Sequence, residues 1–260
     1  VAAAPKRRIS PLYAVLKSRY EDFSDKELYS LILCGHIRVD GGILRDPKAS
    51  VDQDCRVEFL GRRFVSRGGE KLDHGLTVFG VNVRDLVVVD AGSSTGGFTH
   101  CLLSRGARAV HAIDVGYNQL DFSLRQDPRV IVHERTNVMD FNDPCPVPQG
   151  AVADLSFRSI RGAASHLLSL TSDKWLVALI KPQFEYPDPP DEFDGVIRDE
   201  VVVRDILEKT SAGLEEEGVF LHNAVVSPIT GRKGNREFLF LLRTAVSAMP
   251  GRDILRALVF

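Results

Sequence analysis

The chain is poor in cysteine, and the four it has are badly placed to brace a fold: Cys34, Cys55, Cys101 and Cys145 lie 21, 46 and 44 residues apart, with no C-x-x-C pair. That spacing argues against a zinc ribbon or a disulfide framework and leads us to expect reduced thiols in a cytosolic protein. The seven histidines show no ligand spacing and no H-E-x-x-H occurs, so no metal is expected. No apolar run approaches the ~20 residues of a membrane span, and Val1 to Pro5 runs into Lys6, Arg7 and Arg8, where a secretory signal would have an apolar core. Internal repeats and low-complexity tracts are also missing. Neither sign of charge dominates, since 33 Lys and Arg face 35 Asp and Glu, but the balance is uneven along the chain. Residues 1–72 hold 14 basic and 10 acidic side chains, the remainder 19 and 25, so an acidic partner would dock at the N-terminal end.

What is present is a run of β-branched residues feeding a glycine-rich turn, Val87-Val88-Val89-Asp90-Ala91-Gly92-Ser93-Ser94-Thr95-Gly96-Gly97-Phe98-Thr99. A strand, a turn that needs positive φ and close backbone approach, and a following helix are how an open α/β sheet makes a nucleotide pocket. The pattern D-x-G-x-x-x-G-G is neither the dinucleotide G-x-G-x-x-G nor the phosphate loop G-x-x-x-x-G-K-[ST]. A wide glycine loop opened by an acid suits a ligand with an amino-acid tail and no phosphate, such as S-adenosylmethionine. A second apolar run ends in Asp114, 22 residues after Gly92, about the ~20-residue distance at which a carboxylate takes ribose hydroxyls.

At 260 residues the chain has room for one α/β domain and a small companion. Residues 1–60 read as a compact α+β unit. Helical spacing runs from Pro11 to Leu16, Ser24 and Glu27 form a capping box that opens Leu28 to Leu33, a strand from Ile37 runs into the Asp40-Gly41 turn, and Cys55 to Phe59 alternates as a second strand. Residues 61–70 read as a basic linker. From there strands are expected near 86–90, 108–113, 129–133, 150–154, 175–180, 218–226 and 237–243. Helix-sized segments separate them, and one carries Ile197, Val201, Ile206 and Leu207 on a single face. Such alternation gives a mostly parallel, doubly wound sheet with helices on both faces.

Ligands in such sheets sit at the carboxyl ends of the strands, which here deliver Asp154 and Lys181, with Glu237 opening the last strand. A lysine ending an apolar strand is costly to desolvate unless it has a partner or a task as a base. Position 154 is followed by Leu155-Ser156-Phe157, not the Pro-Pro-aromatic run of an amino-directed base methyltransferase. Cys145 lies in a Pro-rich loop with no activating base, which disfavours a cysteine nucleophile. His111, inside a strand, is expected to be packed.

Seven motifs in order then bring a family into view. They are Ser66-Arg67-Gly68-Gly69-Glu70-Lys71-Leu72, Asp90 to Thr99, Ile113 to Tyr117, Glu134 to Asn137, Asp154 to Phe157, Ile180 to Glu185, and Ser227-Pro228-Ile229 through Gly234-Asn235-Arg236-Glu237. Over nearly its whole length the chain resembles the TlyA ("haemolysin A") group of FtsJ-like ribosomal RNA 2′-O-ribose methyltransferases. The resemblance implies a Rossmann-like class I methyltransferase fold over 71–260 and a catalytic set of Lys71, Asp154, Lys181 and Glu237. It implies an S-adenosylmethionine pocket from Asp90, Gly92, Ser94, Gly96, Gly97, Asp114, Asn137 and Val138, with Phe98 and Val115 beside it. The first unit is similar to the RNA-binding fold of the ribosomal protein S-four type, although Arg8-Ile9-Ser10 replaces its commoner Arg-Leu-Asp opening. Lys6, Arg7, Arg8, Lys17, Arg38, Arg62, Arg63 and Arg67 are its expected RNA contacts. The implied substrate is a cytidine ribose in ribosomal RNA. The short ends favour 23S RNA in the 50S subunit, with 16S as the alternative. A non-catalytic RNA-binding assembly factor and a membrane-damaging toxin are the competing readings.

Overall fold

The computed structural model describes residues 8–20, 23, 25–60, 64–156, 158–190 and 192–259, with Lys26 and Glu27 given by backbone alone. The chain forms two compact units that part between residues 63 and 64.

The first unit runs β1 (Ile9–Pro11), α1 (Leu12–Arg19), α2 (Asp25–Leu33), β2 (Ile37–Val39), β3 (Gly42–Ile43), β4 (Ser50–Asp52) and β5 (Val57–Phe59). Leu12, Val15 and Leu16 of α1 recur at helical spacing and pack with Leu28, Leu31 and Ile32 of α2 and with Ile37 and Val39 of β2. Asp40 and Gly41 both have positive φ, 47° and 88°, the mirror-image turn that matches strand twist in a two-residue hairpin. It joins β2 to β3, and β5 pairs on the other side of β2. The capping box expected at Ser24 and Glu27 lies outside the described side chains.

The second unit opens on α3 (Arg67–Phe79), which Gly80 ends in the left-handed conformation. There follow β6 (Val87–Ala91), α4 (Gly97–Ser104), β7 (Ala109–Asp114), α5 (Phe122–Arg125), β8 (Val130–Glu134), a 3-10 turn (Val138–Asp140), β9 (Gly150–Ala153), α6 (Ala163–Ser169) and β10 (Trp175–Ile180). The unit closes with α7 (Pro182–Glu185), α8 (Glu200–Glu216), β11 (Phe220–Val226), β12 (Phe238–Arg243) and α9 (Gly251–Arg256). The sheet order is β11-β12-β10-β9-β6-β7-β8, in which β8 through β10 run parallel and β12 lies antiparallel to both neighbours. Strand order reverses between β6 and β9, the switch point where such sheets open a crevice for ligand. Apolar side chains fill both faces: one core holds Leu72, Leu76, Phe98 and Leu102, the other Leu167, Leu168, Leu207 and Leu214. This is the expected Rossmann-like α/β fold.

Two expectations need correction. A basic linker is expected over 61–70, but Phe64 is buried and residues 67–70 form the first turn of α3, so 64–70 belongs to the second unit. The buried face of α8 is Val203, Ile206, Leu207, Thr210 and Leu214, while Val201 is 75% exposed and Ile197 precedes the helix. At 100° per residue Val201 falls off the stripe defined by 203, 207, 210 and 214.

Candidate active site

Strand alternation decides which side chains share a face. On β6, Val88 packs into the core beneath α3 and α4 and Val89 into the opposite one, so Asp90 returns to the α3–α4 face. The same parity puts Asp154 there after Val152 and Ala153, and Lys181 after Leu179 and Ile180. Glu237 joins them two positions before Leu239. Because β12 is antiparallel, its start lies beside the end of β10, and one step beyond the Ile180–Phe238 pair sets Lys181 opposite Glu237. Lys71 comes down from α3, next to Leu72, which anchors the helix in this core.

The four charges form two ion pairs. Lys71 Nζ donates to Glu237 Oε2, and both residues are buried, 6% and 4% exposed. Lys181 Nζ stands 2.6 Å from Asp154 Oδ1, as an ion pair rather than an aligned hydrogen bond, and donates to Ser156 Oγ at 2.8 Å. Two lysines are tolerated because each has a carboxylate; removing one partner of a buried pair leaves an uncompensated charge and costs about 3–5 kcal/mol.

The glycine turn runs beside these pairs. Gly92 has φ +80°, and a Cβ there would stand 2.5 Å from the Asp154 carbonyl oxygen, so only glycine lets the turn pass against the end of β9. At Gly97 a Cβ would meet Ser66 Oγ at 2.1 Å and Gly69 N at 2.9 Å, where the starts of α3 and α4 touch. Asp114 accepts from Ser94 N at 2.8 Å and Gly116 N at 2.6 Å. A carboxylate has about four lone-pair directions, so it retains capacity for ribose hydroxyls. Val115 beside it is 71% exposed, an apolar surface suited to a flat ring. Asn137 caps the 3-10 turn through Met139 N at 3.1 Å.

Asp90 is fully buried. Its Oδ2 accepts from Thr99 Oγ1 at 2.6 Å, while Oδ1 has no hydrogen-bond partner among the described residues. Burial, reinforced by the charge of Asp154, raises its pKa to about 7. A buried acceptor left open beside a glycine turn fits a ligand that brings an ammonium, and so S-adenosylmethionine.

The structure therefore brings Lys71, Asp154, Lys181 and Glu237 together and gathers Asp90, Gly92, Ser94, Gly96, Gly97, Asp114, Val115 and Asn137 at the same strand ends. Phe98 and Val138 are placed differently from the expectation: both side chains lie in the cores, 3% and 6% exposed, leaving only their backbone for a cofactor. Of the expected RNA contacts, Lys17 pairs with Asp25 at 2.8 Å and Arg38 with Glu58 at 3.2 Å. Arg8 is exposed, and Arg67 lies in the first turn of α3. Lys6, Arg7, Arg62 and Arg63 lie outside the described residues. His111 is packed as expected, its Nε2 on Pro146 O at 2.9 Å and its Nδ1 on His133 Nε2 at 3.1 Å.

Sequence reasoning missed Ser156, Glu185 and Asn235. Asn235, 5% exposed, accepts from Ile197 N at 2.9 Å and donates to Gly195 O at 2.7 Å, strapping the segment before α8 to the loop that leads into Glu237. An amide in a run of glycines and cations reads as surface, so no local signal marks its burial. Ser156 and Glu185 stand inside two of the seven motifs, where nothing local gives either a role. Among the described residues no group of three His, Cys, Asp or Glu could hold a metal.

Comparison with known proteins agrees with this geometry. The profile of the FtsJ-like methyltransferase family matches residues 64–244. The chain is 38% identical over 231 residues to "16S/23S rRNA (cytidine-2'-O)-methyltransferase TlyA" of Mycobacterium tuberculosis, covering 85% of each. It is 37% identical over 223 residues to "Hemolysin A" of Brachyspira hyodysenteriae, covering 83% of this chain and 92% of that one. The solved structure of a "Putative hemolysin from Streptococcus thermophilus" superposes with a TM-score of 0.69 at 30% identity, over 95% of this chain and 94% of that one. With a glycine turn, an acid on each of two adjacent strands and a profile match across the whole sheet, the chain belongs to the FtsJ-like methyltransferase family.

Proposed function

We propose that the protein transfers a methyl group from S-adenosylmethionine to the 2′-hydroxyl of a cytidine in ribosomal RNA, with 23S RNA in the 50S subunit as the favoured target. The observation that carries the reading is the pair of lysine–carboxylate contacts, Lys181–Asp154 and Lys71–Glu237, at the strand ends that flank the glycine turn. The name of the mycobacterial relative supports the substrate.

When bound, S-adenosylmethionine supplies a methyl on a positively charged sulfur that leaves with the bonding pair. What the chain must add is orientation of a weakly nucleophilic hydroxyl and removal of its proton. Lys181 Nζ is the acceptor of that proton, and Asp154 holds the lysine in place. Glu237 and Lys71, themselves paired, wall the opposite side and keep the local charge balanced. Asp90 would hold the cofactor's ammonium, Asp114 its ribose, and Val115 with Asn137 the adenine.

The first unit is the RNA-binding module in this reading. Its exposed ion pair at Lys17 contributes little to stability, and both Lys17 and the half-buried Arg38 can exchange their carboxylates for phosphates. A ribosomal substrate places the enzyme in the cytoplasm.

The test is transfer of labelled methyl to unmodified 50S and 30S subunits separately. Lys181→Ala should lose on the order of 10²–10⁴ in rate while binding S-adenosylhomocysteine as the parent does. Wild-type turnover in that variant would remove Lys181 from the role. Rates near zero on both particles with intact RNA binding would favour a non-catalytic assembly factor. No helix among the described residues is long and apolar enough to cross a membrane; leakage of liposomes by the purified protein would support the toxin reading instead.

A further inference from the structure

We infer that Ser156 is a positioning residue for the methyl transfer: its hydroxyl, together with the Asp154 carboxylate, aims the lone pair of the Lys181 amine at the substrate hydroxyl. This rests on Lys181 as proton acceptor, as read above, and adds a requirement that reading does not contain.

An ammonium has three N–H bonds and no lone pair, whereas the neutral amine that can accept a proton has two N–H bonds and one lone pair. A lysine held by an ion pair alone, with no N–H bond aimed at an acceptor, can still rotate about its last C–N bond and sweep its lone pair round a cone. Here Asp154 Oδ1 holds Nζ by charge at 2.6 Å, and Ser156 Oγ, at 2.8 Å, is the acceptor towards which an N–H bond is aimed. With one N–H bond committed to the serine and the nitrogen held against the carboxylate, that rotation stops and the lone pair is confined to the tetrahedral directions that remain. Ser156 is exposed while the Lys181 side chain is only 12% exposed, so the serine stands on the open side of the amine, where a substrate must arrive.

The serine is itself held. It lies in the segment that leaves β9, and the far end of that segment is clamped to α7, the helix that starts right after Lys181. Glu185 of α7 accepts from Ile160 N at 2.8 Å and from Ser159 Oγ at 2.5 Å. Its carboxyl is mostly buried, which raises its pKa above the usual carboxylate range. The Lys181 segment and the Ser156 segment are thus joined at two points, the amine at one end and Glu185 at the other.

The experiment compares Ser156→Ala and Ser156→Thr with the parent, in the full chain on 50S subunits, with Lys181→Ala alongside. Ser156→Ala should lower kcat roughly 10- to 100-fold with KM and S-adenosylhomocysteine affinity unchanged, and Ser156→Thr, which keeps the hydroxyl, should recover most of the rate. In the Lys181→Ala background Ser156→Ala should add nothing. A wild-type kcat in Ser156→Ala, an effect confined to KM, or a threonine variant as slow as the alanine one would overturn the inference. If Lys181→Ala itself keeps its turnover, the proton-acceptor reading fails first; if it is inactive while Ser156→Ala is unimpaired, only the role of Ser156 falls.

Discussion

Asp90 shows how a single side chain can be set for binding at the expense of folding. Its carboxyl has one hydrogen bond and a pKa near 7, because burial penalises the charge. In the unfolded chain the proton leaves near pH 4, so between about 4 and 7 the native state holds a proton the unfolded state has lost. Stability from this group therefore falls as pH rises through that window. The buried His111 and half-buried His133 pull the other way: burial lowers both pKa values, so below about pH 6.5 the unfolded chain takes up protons that the native imidazoles do not, and stability from these groups falls as pH drops. The two effects separate in a variant. Asp90→Asn should melt higher than the parent at pH 8, by a margin that shrinks toward pH 5, while binding S-adenosylhomocysteine more weakly. Paired melting curves at the two pH values check this, and an equal margin at both would remove the titration argument. Identity is legible at this scale, since Asp90, Asp154, Lys181 and Glu237 can be picked from strand ends. Partnership is not: the pairing of Lys71 with Glu237 joins positions far apart in the chain and has no local signature.

At the scale of elements, periodicity locates the strands because buried parallel strands are continuous apolar runs, and Val87–Ala91 and Trp175–Ile180 are buried at every position. Boundaries and faces are harder. A basic, glycine-rich stretch at 61–70 reads as linker because Gly68 and Gly69 disfavour a helix. Yet Gly69 sits in α3 since any Cβ would strike the Phe64 ring, at 2.3 Å from its Cγ. Packing outweighs propensity there. In α8, which side is buried depends on β11, α7 and α9, which pack against it, and Leu207 lies inside and Val201 outside. Leu207→Ala should accordingly cost about 2–5 kcal/mol, and Val201→Ala less than about 0.5 kcal/mol. Urea unfolding of both variants would tell; comparable losses would mean the helix is rotated from the orientation described.

Across the whole molecule, the division of labour predicts that substrate affinity and chemistry come apart. Replacing Lys17 and Arg38 with alanine should weaken RNA binding and lower the slope of log K against log salt by about one for each phosphate left without its cation. The rate at saturating substrate should stay unchanged. Binding titrations over a salt series would check it, and an unaltered slope would take these residues off the RNA surface. Fold class, the two-unit plan and the kind of cofactor are written in local pattern, because hydrophobic period, glycine spacing and strand-end acids act within a few residues of one another. The pairing of charges, the hydrogen bond from Lys181 to Ser156 and the clamp at Glu185 exist only once the chain is folded. The Lys71–Glu237 pair depends on the antiparallel insertion of β12 between β10 and β11, and the contacts of Ser156 and Glu185 on the parallel pairing of β9 with β10, which bring positions tens to more than a hundred residues apart within hydrogen-bonding distance.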